Sequence, residues 1–249
     1  MDFMRTIKEA YGKRLLVGGH RGHKCEVREN TISNFETLPI EKIPYIEIDV
    51  QLTKDGKAVI YHDHDLSMKT RLTGMIRDYS LEELRASFEI CTIYEAVEWC
   101  RDHGLGIAFE LKLQPYSMWN DRSMVIKEVV SAIQMYEYHN ECFVFGKDYE
   151  MLSEIKNMDA RINIGLIVPF VPKDPIALMK EMQAFLYLNF VDQLSKELVD
   201  RLHEAGYIVD GSVVNTEADL KKAIELGVNL IESDEPEFIT KLLEEWYAG

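Results

Sequence analysis

Three segments of this chain share one local design. "RDHGLGIAFEL" (101–111), "HEAGYIVDGSV" (203–213) and "ELGVNLIESD" (225–234) each run from a helix-like stretch, through Gly104, Gly206 or Gly227, into an apolar strand-like stretch. A glycine at such a junction takes the left-handed conformation that closes a helix. In all, apolar stretches start near Leu15, Tyr45, Gly106, Cys142, Arg161, Phe185, Tyr207 and Asn229. Between them, Ser80 with Glu83, Thr92 with Glu95 and Thr216 with Asp219 have the spacing of helix N-terminal caps. Strands that alternate with helices imply parallel β-α units. Eight strands in 249 residues match a closed (β/α)8 TIM barrel, and residues 1–249 are expected to form one such domain. The competing doubly wound sheet needs a GxGxxG turn after its first strand, and the chain has none there.

A ninth strand-like stretch, "KAVIYHD" (57–63), needs a separate account. Only seven residues separate Val50 from Ala58, too few for a helical crossover between parallel strands. The expected structure is a short hairpin extension on the loop after strand two, turning at Asp55-Gly56.

Two strands carry charge where a barrel strand is normally apolar. In "YIEIDVQL", Ile46, Ile48 and Val50 face one way and Glu47, Asp49 and Gln51 the other. In "AFELKL", Phe109, Leu111 and Leu113 oppose Glu110 and Lys112. An antiparallel sheet would turn such faces to water. In a barrel the helices cover the outside, so Glu47, Asp49, Glu110 and Lys112 are expected inside, near the mouth. A divalent cation would compensate the three carboxylates, and oxygen ligands favour Mg²⁺ or Ca²⁺ over zinc. His20 and His62 each follow an apolar strand, which makes them candidates for proton transfer near neutral pH. The other five histidines read as surface or structural, with His23 and His64 nearest in sequence to the site.

Charge narrows the partners. With 43 acidic and 28 basic residues the net charge is −15, which repels nucleic acid and anionic membranes. A phosphate-bearing small molecule would need a local cluster of positive charge. The four cysteines are scattered, without a CxxC or zinc pattern, as in a reducing cytoplasm. The first residues lack the apolar run of a secretory signal, and no stretch approaches a membrane span. Nothing in the sequence fixes the oligomeric state.

The ordered motifs "GHRG" (19–22), "ENT" (29–31), "IEIDVQLTKDG" (46–56), "VIYHD" (59–63), "FELK" (109–112) and "ESDEP" (232–236) resemble the glycerophosphodiester phosphodiesterase family, in its compact bacterial form. The resemblance implies a TIM barrel, a divalent metal on Glu47, Asp49 and Glu110, and catalytic histidines His20 and His62. It places Arg21 and Lys112 on the substrate phosphate. The implied reaction releases glycerol 3-phosphate and an alcohol, with the 2-hydroxyl attacking and water then opening a cyclic phosphate. A lyase that stops at the cyclic phosphate, and a silent phosphodiester-binding protein, are the alternatives.

Two positions depart from the family pattern. A usual W-T-V-N reads Ser212-Val213-Val214-Asn215, and a usual S-F reads Gly146-Lys147. Both are expected on the leaving-alcohol side, where an aromatic wall is lost. Lys147 either presents a cation to that alcohol or points to solvent.

Overall fold

The computed structural model describes residues 2–112 and 119–249. Nine strands run β1 (Leu16–Gly19), β2 (Tyr45–Leu52), β3 (Ala58–Ile60), β4 (Gly106–Leu111), β5 (Cys142–Gly146), β6 (Ile164–Ile167), β7 (Leu186–Leu188), β8 (Ile208–Asp210) and β9 (Leu230–Ser233). Among the described residues ten α-helices accompany them: α1 (Phe3–Ala10), α2 (Ile32–Phe35), α3 (Leu81–Arg85), α4 (Ile93–His103), α5 (Trp119–Met135), α6 (Tyr149–Met158), α7 (Pro175–Glu181), α8 (Lys196–Glu204), α9 (Glu217–Leu226) and α10 (Pro236–Ala248). The strands pair in the order β1-β9-β8-β7-β6-β5-β4-β2, all parallel, and Gly19 opposite Ile46 closes β1 onto β2. The barrel therefore has eight strands.

The expected helix ends are present. Ser80 and Thr92 each accept from the backbone of Glu83 and Glu95, whose carboxylates bond back to the cap residues. Thr216 accepts from the backbone N–H of Asp219. Gly104 and Gly227 close α4 and α9 with φ of +67° and +78°.

β3 pairs antiparallel with β2, Val50 opposite Ile60 and Leu52 opposite Ala58. The turn between them is held by Thr53, whose N–H donates to the Lys57 carbonyl and whose hydroxyl donates to Asp55 Oδ1. The hairpin is as the sequence predicts, but the excursion continues further. Val59, Tyr61, Leu66, Ile76, Leu84 and Ile90 bury themselves together as a small core of their own. Residues 58–90 thus form a packed cap beside the barrel.

Two apolar layers hold the barrel. Ile46, Ile48, Val50, Phe109 and Leu111 face outward against Ile93, Val97, Val125 and Val129 of α4 and α5. Leu113, expected on that same face, lies outside the described residues. Tyr45, Ala108, Phe143, Leu186, Ile208 and Leu230 face inward, packed against Phe3, Met4, Ile7 and Ala10 of α1. This α1 plugs the N-terminal end: a Cβ on Gly106, the first residue of β4, would lie 2.4 Å from the Phe3 ring. With one end stoppered, the inward positions further along β2 and β4 open only at the C-terminal end. Those positions are Glu47, Asp49, Gln51 and Glu110.

Candidate active site

The site begins where β1 stops. His20 follows directly, and the chain then reverses through Arg21 and Gly22, with φ of +55° and +89°. Gly22 suits that region, and a Cβ on it would strike Asn34 Oδ1 at 2.1 Å. Arg21 has no such freedom, and a non-glycine residue in this region costs of order 1 kcal/mol or more. The turn is held because the Arg21 N–H donates to Glu47 Oε2 at 3.0 Å and the Asn30 N–H to the Arg21 carbonyl at 2.9 Å. The imidazole of His20 meets Asp234 Oδ1 through Nδ1 at 2.6 Å. Asn215 fixes that aspartate in turn, donating to Oδ2 at 2.7 Å and accepting from the Asp234 N–H at 2.8 Å. A carboxylate at Nδ1 favours the tautomer protonated there, leaving Nε2 as a free acceptor. Nε2 stands 3.9 Å from Glu47 Oε2.

Glu47, Asp49 and Glu110 each offer a carboxylate oxygen within 4.8 Å of the others. Glu47 and Asp49 are fully buried, and Glu47 Oε1 has no partner among the described residues. Two cations serve the cluster unevenly. Arg21 Nε lies 3.3 Å from Asp49 Oδ2, while Lys112 Nζ reaches Asp49 Oδ1 at 3.1 Å and Glu110 Oε1 at 3.4 Å. Asn30 adds a bond to Asp49 Oδ2 at 2.8 Å. Burial alone would raise the Asp49 carboxyl, but Lys112, Arg21 and the Asn30 bond hold it below its ordinary value. Glu47 goes the other way: burial first, then Asp49 and Glu110, push it well above the ordinary range. A buried oxygen without a partner, inside three converging carboxylates, suits a hard divalent cation.

His62 reaches this place by way of the hairpin. The Tyr61 N–H donates to the Asp49 carbonyl at 2.9 Å, so His62 emerges beside the carboxylates. The amide of Gln51, the next inward residue of β2, donates to the carbonyls of Tyr61, His62 and Asp63 at 2.7, 3.2 and 3.0 Å. Asp63 Oδ1 lies 2.8 Å from His62 Nδ1, and Lys69 Nζ lies 3.3 Å from Asp63 Oδ2. The two imidazoles are therefore mounted alike, each with an aspartate behind Nδ1. Beside them, His23, Lys24, Arg28, Glu29 and Lys69 line a cleft of about 330 Å³.

All seven residues singled out from the sequence belong to this one network. The sequence reading missed the side chains that orient them: Asp234, Asn215, Asp63 and Asn30. Asp234, Asp63 and Asn30 lie inside "ESDEP", "VIYHD" and "ENT", and for Asp234, which directly follows β9, the position just past a strand end was the available signal. Of the remaining histidines, His23 bonds Thr37 and lines the cleft, His103 stacks on Trp99, His139 pairs with Asp159 and His203 with Asn229. His64 is exposed.

The two departures from the family pattern resolve differently. Lys147 is exposed. Ser212 is 3% exposed, so it presents no open wall; its hydroxyl bonds Asp210 Oδ1 and accepts from the Glu232 N–H at 2.7 Å. Asp210 is fully buried, and burial outweighs the Ser212 bonds to raise its carboxyl to about 7. An acid whose folded pKa exceeds its unfolded value holds a proton that the unfolded chain releases, so stability is lost as pH rises from about 4 toward 7. Asp210→Asn keeps an acceptor for Ser212 without the charge. In metal-free protein its Tm is expected to exceed wild type at pH 8, with the gap closing at pH 5. Equal Tm values at pH 8 would contradict this account.

Comparison with known proteins agrees with the geometry. The Glycerophosphoryl diester phosphodiesterase family model matches residues 20–238. A glycerophosphodiester phosphodiesterase from Caldanaerobacter subterraneus is 28% identical over 92% of this chain and 98% of its own length. One from Bacillus altitudinis is 27% identical over 91% and 97%. Among solved structures, a Silicibacter pomeroyi protein assigned the same activity superposes with a TM-score of 0.90 at 19% identity, covering 99% of both chains. An Oleispira antarctica phosphodiesterase in complex with the product sn-glycerol-3-phosphate gives 0.85 at 24% identity, covering 94% of this chain and 99% of its own. Among the described residues no helix is long and apolar enough to cross a membrane. With a barrel of this form and a family match across nearly its whole length, the chain belongs to the glycerophosphoryl diester phosphodiesterase family.

Proposed function

We propose that the protein is a cytoplasmic, metal-dependent hydrolase that converts a glycerophosphodiester to glycerol 3-phosphate and an alcohol, and that residues 1–249 form one catalytic domain. The observation that carries this reading is the convergence of Glu47, Asp49 and Glu110 around the unpartnered Glu47 Oε1. Two aspartate-backed imidazoles stand at the same end of the barrel. The sn-glycerol-3-phosphate bound by the Oleispira antarctica phosphodiesterase supports the product class. Four unpaired cysteines suit a reducing compartment.

Glu47, Asp49 and Glu110 would hold one Mg²⁺ or Ca²⁺. Bound there, a divalent ion offsets charge on a phosphate oxygen and lowers the pKa of a hydroxyl. Arg21 and Lys112 bind the substrate phosphate, Arg21 through its planar fork. Until substrate arrives, both cations rest on Asp49. One imidazole accepts the proton of the attacking hydroxyl at Nε2, and the other donates its proton to the leaving alcohol. Asp234 and Asp63 keep each ring turned so that Nε2 faces the reacting groups.

EDTA is expected to abolish turnover and either Mg²⁺ or Ca²⁺ to restore it. Glu47→Gln and Asp49→Asn should each cost roughly 10²-fold or more in kcat, the scale of removing one electrostatic stabiliser. Wild-type rates in EDTA or in both variants would overturn the metal assignment. Phosphorus NMR of the product reads the rest: accumulation of a cyclic diester in place of glycerol 3-phosphate would make the protein a lyase.

A further inference from the structure

Glu232 has no task in the chemistry above, and its placement makes that costly. It sits on β9 opposite Gly18 of β1 and is 4% exposed, and its Oε1 has no partner among the described residues. The groups around it are mostly acidic. Burial, then Asp210, Glu47, Glu110 and Asp49, all disfavour its charge. The two buried cations of the site, Arg21 and Lys112, are turned toward Asp49 instead. A buried carboxylate in such surroundings needs a compensating cation or a proton.

One group near Glu232 is a nitrogen donor. His20, Glu47 and Glu232 each offer a ligand atom within 4.8 Å of the others, and Glu47 also belongs to the carboxylate triad. His20 carries the bond that orients a metal-bound imidazole, Nδ1 to the carboxylate of Asp234 at 2.6 Å, with Nε2 turned inward. Gly18, opposite Glu232, leaves room for the Tyr45 ring. A Cβ there would lie 2.3 Å from the Tyr45 ring, which instead passes beneath and donates its hydroxyl to the Ile231 carbonyl at 3.1 Å. One imidazole and two carboxylates therefore converge at this point, with an unpartnered oxygen on each carboxylate among the described residues.

We propose that His20, Glu47 and Glu232 form a second cation site, sharing Glu47 with the carboxylate triad and suited to a borderline ion such as Zn²⁺. An imidazole among the donors favours such an ion over Mg²⁺ or Ca²⁺. A cation on Nε2 takes the lone pair that proton transfer needs, so occupancy inhibits. That last consequence rests on the proposed catalytic role of His20, whereas the binding does not.

Metal-free wild type, Glu232→Gln, Glu232→Ile and Asp49→Asn are titrated with Zn²⁺ by calorimetry, and bound metal is counted by elemental analysis. Two ions per chain are expected in wild type and one in either Glu232 variant. Asp49→Asn, which weakens the triad, should keep the step that depends on Glu232. Equal stoichiometry in wild type and both Glu232 variants overturns the site. If a Glu232 variant fails to fold, zinc-edge anomalous diffraction from the wild type decides the matter. A peak within bonding distance of His20 Nε2 and Glu232 supports the proposal, and its absence there refutes it. Zinc inhibition of the Mg²⁺-loaded enzyme should weaken at least about tenfold in Glu232→Gln, by analogy with the loss of affinity when a metal-site residue is removed. Failure of the hydrolase reading would leave the binding counts unchanged, so the two failures are distinguishable.

Discussion

His20→Ala and His62→Ala should each lower kcat for a glycerophosphodiester by about 10²–10⁴-fold, the usual contribution of a positioned acid or base. Mg²⁺ binding by the carboxylate triad should persist in both, because neither imidazole belongs to the Glu47, Asp49, Glu110 set. The double variant should lose little more than the worse single one, since residues that act as a unit are non-additive. Asp234→Asn and Asp63→Asn supply the intermediate test. Each keeps the size of the side chain but loses the charge that holds Nδ1–H, so each should reduce kcat more than it raises KM. Stopped assays with phosphorus NMR as readout measure all of these. A histidine variant that retained kcat within threefold of wild type would remove that residue from the reaction.

The largest structural effect is expected at the opposite end of the barrel. Phe3 is fully buried on α1, stacked on Tyr45 with centroids 5.0 Å apart and on Phe143 at 6.2 Å. Phe3→Ala removes the part of the plug that fills the space left by Gly106. Truncating a buried phenylalanine costs about 3–5 kcal/mol, which for a chain of this size lowers Tm by roughly 10 °C. Activity measured well below that Tm should stay close to wild type, because the proposed catalytic groups occupy the other end. A loss under about 1 kcal/mol by urea titration would show that α1 docks too loosely to hold the barrel closed.

How far the fold was legible depended on which signals were local. Glycine-closed helices and capped starts are written in consecutive residues, so the alternation of elements and the count of eight followed. The plug was not recovered. Phe3, Met4, Ile7 and Ala10 share a helical face, but a segment of eight residues carries too little pattern to say what it covers. The excursion after β3 was only half read, because its turn is local while the burial of Leu66, Ile76 and Leu84 depends on contacts distant in sequence. At the site, residue types with one chemical use, such as His20 and Glu47, stood out. Asp63, Asn30 and Asn215 did not, since an aspartate or asparagine in a loop is also an ordinary turn residue. Ser212 was misjudged for a related reason. The loss of an aromatic was visible, but not that the hydroxyl would tie Asp210 to the backbone of Glu232.

β2 acts as a ruler for the reaction. Glu47, Asp49 and Gln51 are alternate residues of one strand, spaced by about 6.6 Å from one to the next. The first two belong to the cation cluster, and the third anchors the backbone that carries His62. The distance between the carboxylate cluster and the imidazole is thus graduated along a single rigid backbone. Inserting or deleting one residue between Asp49 and Gln51 would put Gln51 on the face opposite Glu47 and Asp49, parting the cation cluster from the anchor of His62. Lengthening the chain beyond Asp63 changes none of these spacings, so diversity in the capping excursion is free to accumulate while the measure beneath it stays fixed.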